Sequence, residues 1–146
     1  MPGFDMETMA DSTVRLSDSR GTIRVVHFWG KWCAPCVAER PDWQAFVDEY
    51  APAEDVTVLT INSDSDPSEV RRWMEEEGWS FPVLVDRGYA DSVDMHTWPT
   101  TWFLGPGGRK HFVATGTSEA LDREFGWRVE ALRELGGRDP GAPRRK

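Results

Sequence analysis

The stretch Thr22 to Trp29 (TIRVVHFW) most constrains what this chain can fold into. It is β-branched and aromatic, and apolar on both faces toward its end. Such a strand needs cover on two sides, which places it at the centre of a sheet between two layers. It runs almost directly into Trp32-Cys33-Ala34-Pro35-Cys36. Residues 34–50 then read as a helix, with Val37, Trp43, Phe46, Val47 and Tyr50 on one apolar face. Pro41 lies inside that stretch and should kink it, because proline cannot donate the helical hydrogen bond.

The rest of the chain alternates in the same way. Phe4 to Thr8 and Thr13 to Leu16 suit a short hairpin. Val56 to Ile61 is a second buried strand. Asp66-Pro67 opens a helix that carries Val70, Trp73 and Met74 inward and stops at Gly78. Pro82 to Val85 and Thr100 to Leu104 are further strands, and Gly105 to Gly108 turns the chain into Arg109 to Thr115 as a hairpin. Ser118 to Leu135 is the last helix, with Leu121, Phe125, Val129 and Leu132 on one face. This order gives an α/β sandwich around a mixed sheet. Residues 1–136 form one domain, and the Gly- and Pro-punctuated residues 137–146 read as a disordered tail. The eight tryptophans are expected mostly in the core, apart from Trp32 and Trp98, with Trp29 and Trp32 offering apolar surface by the cysteines.

Composition excludes several function classes. The net charge of −8 argues against a general nucleic-acid binder, which needs clustered positive charge. Two cysteines among 146 residues rule out a disulfide scaffold. No apolar run approaches the ~20 residues of a membrane span. Residues 1–21 lack the basic start and apolar stretch of a leader. The chain as written is therefore expected in the cytosol, and a mature domain that had lost a leader would be extracytoplasmic.

A C-x-x-C between a buried strand and a helix reads as a redox dithiol. Cys33 falls at the helix start, where free N–H groups favour a thiolate and lower its pKa below the usual ~8.5. Cys36 is one turn further on, so Cys33 can attack a partner disulfide and Cys36 can resolve the mixed disulfide. Half of a zinc site is the alternative. Structural zinc takes four ligands, here there is no second cysteine pair, and His27, His96 and His111 are scattered. No metal and no bound cofactor are expected.

The run VVHFWGKWCAPC, followed by Glu39, Pro41, VTVLTINSD, FPVLVD, WPTTWFLGPGG and a final helix, resembles the thioredoxin superfamily. More narrowly, it resembles the TlpA/ResA-like thiol–disulfide oxidoreductases, and the N-terminal hairpin resembles the extension of that group. The resemblance spans about Phe4 to Leu135 and implies a thioredoxin-like fold. It implies that Cys33 is the exposed attacking cysteine and Cys36 the buried resolving one, with Trp32, Ala34 and Pro35 flanking the dithiol. Pro99 matches the family's cis-proline, and the backbone of Trp98 would pair with an incoming chain. Glu39 matches a glutamate near the thiols, where burial would raise its pKa and let it move the resolving proton. The competing reading makes Glu39 a solvent-facing helix residue.

Two residues depart from the family pattern. His27 stands where thioredoxins carry a buried aspartate. It either accepts the Cys36 proton or is a core histidine bonded to backbone. Trp98 replaces a small residue before the proline. Its ring either shields the dithiol and selects an apolar partner, or points away.

The expected activity is thiol–disulfide exchange with protein thiols and disulfides, by a monomer. Ala34 and Pro35 offer no side-chain donor to a thiolate, so a reducing, thioredoxin-like potential is expected. The alternatives are a peroxiredoxin-type thiol peroxidase, which is weakened by Gly30 where such sites carry threonine, and a non-catalytic thioredoxin-fold binding module.

Overall fold

A computed structural model describes residues 5–7, 13–15, 19, 21–64, 66–116 and 118–136. The tail expected over 137–146 lies outside the described residues. The hairpin is present as β1 (Asp5–Glu7) and β2 (Thr13–Arg15), paired antiparallel. The remaining strands are β3 (Ile23–Trp29), β4 (Val56–Asn62), β5 (Val83–Val85), β6 (Thr100–Leu104) and β7 (Lys110–Thr115). They form a five-stranded sheet in the order β5-β4-β3-β6-β7. β3, β4 and β5 run parallel, while β6 and β7 are antiparallel to their neighbours. The expected mixed sheet is thus found, and every residue of β3 is buried.

The two faces of β3 explain its unbroken apolar run. Ile23, Val25 and Trp29 face one core, covered by α2 (Arg40–Tyr50), α3 (Pro67–Glu77) and α5 (Leu121–Leu135). Val26 and Phe28 face a second core with Leu59, Ile61, Leu84, Trp102 and Leu104. Met6 of the hairpin and Ala90 of α4 (Tyr89–Ser92) close that second layer. The helix α4 is too short to leave a periodic signal, and it forms because Asp86 Oδ1 accepts from the backbone N–H groups of Tyr89 and Ala90. The start of α3 follows its sequence signal: Asp66 Oδ1 accepts from the N–H of Ser68 and Glu69, with Pro67 at the first turn. Gly78 ends it at φ 74°, the left-handed cap that glycine adopts most cheaply.

The expected helix over 34–50 is two helices. α1 (Ala34–Ala38) ends at Glu39, and α2 begins at Arg40. Pro41 has no N–H for the Val37 carbonyl, so the ladder breaks ahead of it. Glu39 takes φ −86° and ψ −1°, the bridge conformation between the two helices. The break lets both Glu39 and Arg40 turn inward, and both are buried.

The tryptophan expectation holds for Trp29, Trp43 and Trp102, which are buried, and fails for Trp127, which is 62% exposed on α5 under the Arg123 guanidinium. Trp29 is fully buried, so Trp32 alone of the expected pair offers surface.

Candidate active site

Cys33 caps the N-terminus of α1 and is disulfide-bonded to Cys36. The Cys36 backbone N–H donates to Cys33 Sγ at 3.3 Å, so the helix start serves this sulfur directly. Cys33 is 5% exposed and Cys36 0%. The resemblance implies an exposed Cys33, but in this disulfide form both cysteines are buried. Ala34, Pro35 and Trp32 supply the exposed rim. The loop before the dithiol is tied down from β4. Asp64 Oδ2 accepts from the Lys31 backbone N–H at 2.7 Å and from the Asn62 side-chain amide at 2.8 Å.

Trp32 is 57% exposed and meets Trp98 edge-to-face, with ring centroids 5.3 Å apart. Trp98 is half-buried and touches both cores, so its ring stands at the dithiol rim rather than pointing away. The Trp98–Pro99 peptide is cis, as the resemblance implied, and Pro99 is buried. At Gly30 a Cβ would come within 2.5 Å of Trp32 Nε1, so Trp32 occupies the space a threonine there would need.

Below the dithiol lies a polar cluster in the apolar core. His27, Glu39 and Arg40 are 0%, 5% and 0% exposed. His27 Nδ1 is 2.7 Å from Thr101 Oγ1, its cross-strand partner on β6. His27 Nε2 is 2.8 Å from Arg40 Nη2 and 3.1 Å from Glu39 Oε1. Arg40 Nη2 also donates to Glu39 Oε1 at 3.3 Å, and Arg40 Nε donates to the Cys36 carbonyl at 2.7 Å. A guanidinium only donates, so the Arg40 contact is a hydrogen bond in the His27 tautomer that accepts at Nε2 and donates from Nδ1 to Thr101, whereas the other tautomer donates from Nε2 to the Glu39 carboxylate. The partners of His27 are side chains rather than backbone: Thr101, Arg40 and Glu39. Glu39 faces inward, not solvent.

Burial sets the charges here. It raises the Glu39 pKa from 4.5 to about 7, a rise the Arg40 charge and hydrogen bond partly offset. It holds the His27 pKa well below 6.5, with the Arg40 charge adding to the effect. His27 is therefore neutral near pH 7, while Glu39 is poised to gain or lose a proton. Burial also lowers Arg40 to about 10, against the opposing pull of Glu39, which still leaves it charged at neutral pH. Arg40 lies 4.7 Å from the Trp29 ring centroid, and His27 stacks on Trp43 at 4.2 Å.

The sequence reading missed Arg40 and Thr101. Position 40 shares a helix face with Trp43 and Val47, three and seven residues on, so its inward direction was available from periodicity. No local pattern pairs Thr101 with His27, because strand register makes that contact. Among the described residues no three His, Cys, Asp or Glu side chains form a metal-ligating cluster.

A strand–C-x-x-C–helix unit with a cis-proline, on a sheet covered by helices, defines a thioredoxin-fold thiol–disulfide oxidoreductase. The AhpC/TSA family matches residues 1–111, and the chain belongs to that family. It is 32% identical over 127 residues to the thiol-disulfide oxidoreductase ResA of Bacillus subtilis, covering 85% of this chain and 70% of that protein. The crystal structure of StoA from Bacillus subtilis superposes with a TM-score of 0.72 at 26% identity, covering 84% of this chain and 95% of that one. A secreted thiol-disulfide isomerase from Corynebacterium glutamicum shares the fold, with a TM-score of 0.76 at 22% identity over 91% of this chain and 85% of that one.

Proposed function

We propose that the chain reduces disulfides in other proteins, with Cys33 attacking, Cys36 resolving and Glu39 accepting the resolving proton. The reading rests above all on one observation: the Cys33–Cys36 pair spans the start of α1, with its helix N–H on Cys33 Sγ and Glu39 buried one turn beyond Cys36. An N–H donor to sulfur favours the thiolate, which is the attacking species. In the reduced protein the Cys33 thiolate attacks one sulfur of the partner disulfide and expels the other as a thiolate. Cys36 then gives its proton to the Glu39 carboxylate, and its sulfur attacks Cys33. The partner sulfur bonded to Cys33 leaves with the electron pair and is protonated. The partner gains two electrons, and Cys33–Cys36 is oxidised.

The partner is a protein segment rather than a bound cofactor. Trp32 and Trp98 give the rim an aromatic character that suits apolar residues beside the partner's disulfide. Ala34 and Pro35 add no side-chain donor that would stabilise the thiolate strongly, which supports a reducing potential. The peroxidase alternative is disfavoured by Gly30 standing where such sites carry threonine.

The test is a redox titration of tryptophan fluorescence in defined thiol–disulfide buffers, with Trp32 beside the bond as reporter. A two-electron midpoint near ~−270 mV is expected for a reductant. A midpoint near ~−120 to −180 mV would make the protein an oxidant or isomerase. Retained function after Cys33→Ser would favour the non-catalytic binding module.

A further inference from the structure

We propose that Arg40 is a positioning residue for the resolving step: its buried guanidinium ties the Glu39 carboxylate to the Cys36 backbone and presents that base, with His27 behind it, to the Cys36 thiol. The proposal rests on the reading of Glu39 as the proton acceptor and adds what holds that acceptor in place.

The geometry carries it. Arg40 spends its donors at the dithiol end of the core: Nε on the Cys36 carbonyl at 2.7 Å, and Nη2 on Glu39 Oε1 at 3.3 Å and His27 Nε2 at 2.8 Å. Its other surroundings, Trp29 and Phe81, are aromatic, and Nη1 has no hydrogen-bond partner among the described residues. A fully buried arginine is costly to hold, and packing alone would be served as well by methionine. The charge is therefore informative about function.

The cluster also balances charge through the step. The titratable and charged groups around Arg40 are His27 from β3, Glu39 at the α1–α2 junction, Cys36 from α1 and Asp42 from α2. Thr101 of β6 holds the far side of His27 without charge. With Glu39 ionised, the Arg40–Glu39–His27 set is neutral. When the Cys36 proton moves to Glu39, the set becomes a cation next to the new thiolate. Protonated Glu39 stays tied to Arg40 Nη2 at 3.3 Å, so the proton is held until the leaving sulfur takes one up. Arg40 thus keeps Glu39 ionised before the step and compensates the thiolate during it.

The experiment mixes reduced full-length protein with a synthetic peptide carrying one internal disulfide. Mixed-disulfide formation and its resolution are followed separately by quenching and mass spectrometry, from pH 5 to 9. In Arg40→Met the resolving rate should reach half its maximum at a pH about one unit higher than in the wild type, because an opposite charge at contact distance shifts a carboxyl by roughly 1–3 units. Resolution near pH 7 then slows about fivefold, more than attack does. Arg40→Lys restores the charge and should return the midpoint most of the way. Glu39→Gln should remove that pH dependence, and Glu39→Gln with Arg40→Met should resolve no more slowly than Glu39→Gln alone. Thermal melts of the oxidised variants check folding, and Arg40→Gln replaces Arg40→Met if the latter does not fold.

A wild-type midpoint in both uncharged variants, with Glu39→Gln slow, overturns the role of Arg40 and leaves Glu39 standing. A double variant markedly slower than Glu39→Gln also overturns it, since Arg40 would then act elsewhere. If Glu39→Gln resolves with the wild-type rate and profile, the reading of Glu39 itself fails, and the proposal with it.

Discussion

The disulfide sits between two unlike regions. Outward lies an aromatic rim, Trp32 and Trp98, partly open to solvent. Inward lies a polar cluster, His27, Glu39 and Arg40, sealed from it. This inverts the usual distribution of apolar inside and polar outside. Each region costs stability for a stated reason. Exposed aromatic surface suits docking of another chain, and buried ionisable groups have shifted pKa values that suit proton transfer. Under the proposed function, the contrast places the two halves of thiol–disulfide exchange, recognition and proton movement, on opposite sides of the Cys33–Cys36 bond.

That separation predicts a graded set of effects. The largest is at the sulfurs: Cys33→Ser should abolish reduction of a peptide disulfide, whereas Cys36→Ser should accumulate the mixed disulfide, as read by mass spectrometry. The inner region follows. Arg40→Ala should destabilise the oxidised protein by about 3–5 kcal/mol in urea unfolding, because it leaves the Glu39 carboxyl buried without its cation. A cost below about 1 kcal/mol would mean the cluster is wetter than its burial implies.

The pH dependence of stability comes next. Folding raises the Glu39 pKa from 4.5 to about 7, so the folded form binds that proton more tightly. Its contribution is full below pH 4.5 and is lost as pH rises through about 7. Glu39→Gln should therefore gain stability relative to the wild type between pH 4.5 and 8, while parallel curves would break the prediction. His27 acts with the opposite sign. Its pKa is lowered from 6.5, so its contribution is present above pH 6.5 and lost as pH falls below it.

The outer region should change preference more than stability. Trp98→Thr should reduce discrimination between apolar and charged peptide disulfides by about tenfold, or ~1.4 kcal/mol. An unaltered preference would make the ring a core residue only. The smallest effect is expected at Trp127, away from the dithiol on α5. Its replacement by alanine should alter stability by no more than about 0.5 kcal/mol, despite its size.

Much of the fold was readable because its signals are local. The apolar run of β3, the Asp66-Pro67 start and Gly78 stop of α3, and the hairpin around Gly105 to Gly108 each depend on neighbours in sequence. The helix α4 was not readable, since a single capped turn has no period. The break at Glu39 was misplaced by two residues because a proline disrupts the turn ahead of itself. In the site, the cysteines are legible from spacing and context, and Pro99 from the resemblance to the thioredoxin superfamily. Arg40 was overlooked because an arginine beside a glutamate on a helix reads as a surface pair.

The sequence by itself determined the dithiol, its place between a buried strand and a helix, and the layering that a doubly apolar strand demands. Those follow from spacing and periodicity, which act over a few residues. Only the tertiary structure decided that His27 meets Thr101, Glu39 and Arg40, and that Trp98 stands against Trp32. The first depends on strand register and on which way a broken helix turns, and the second on how the cis Trp98–Pro99 segment comes to rest beside the dithiol loop. Contacts between residues far apart in the chain are chosen by the packing of the whole domain, and the charge states of this site follow from that packing.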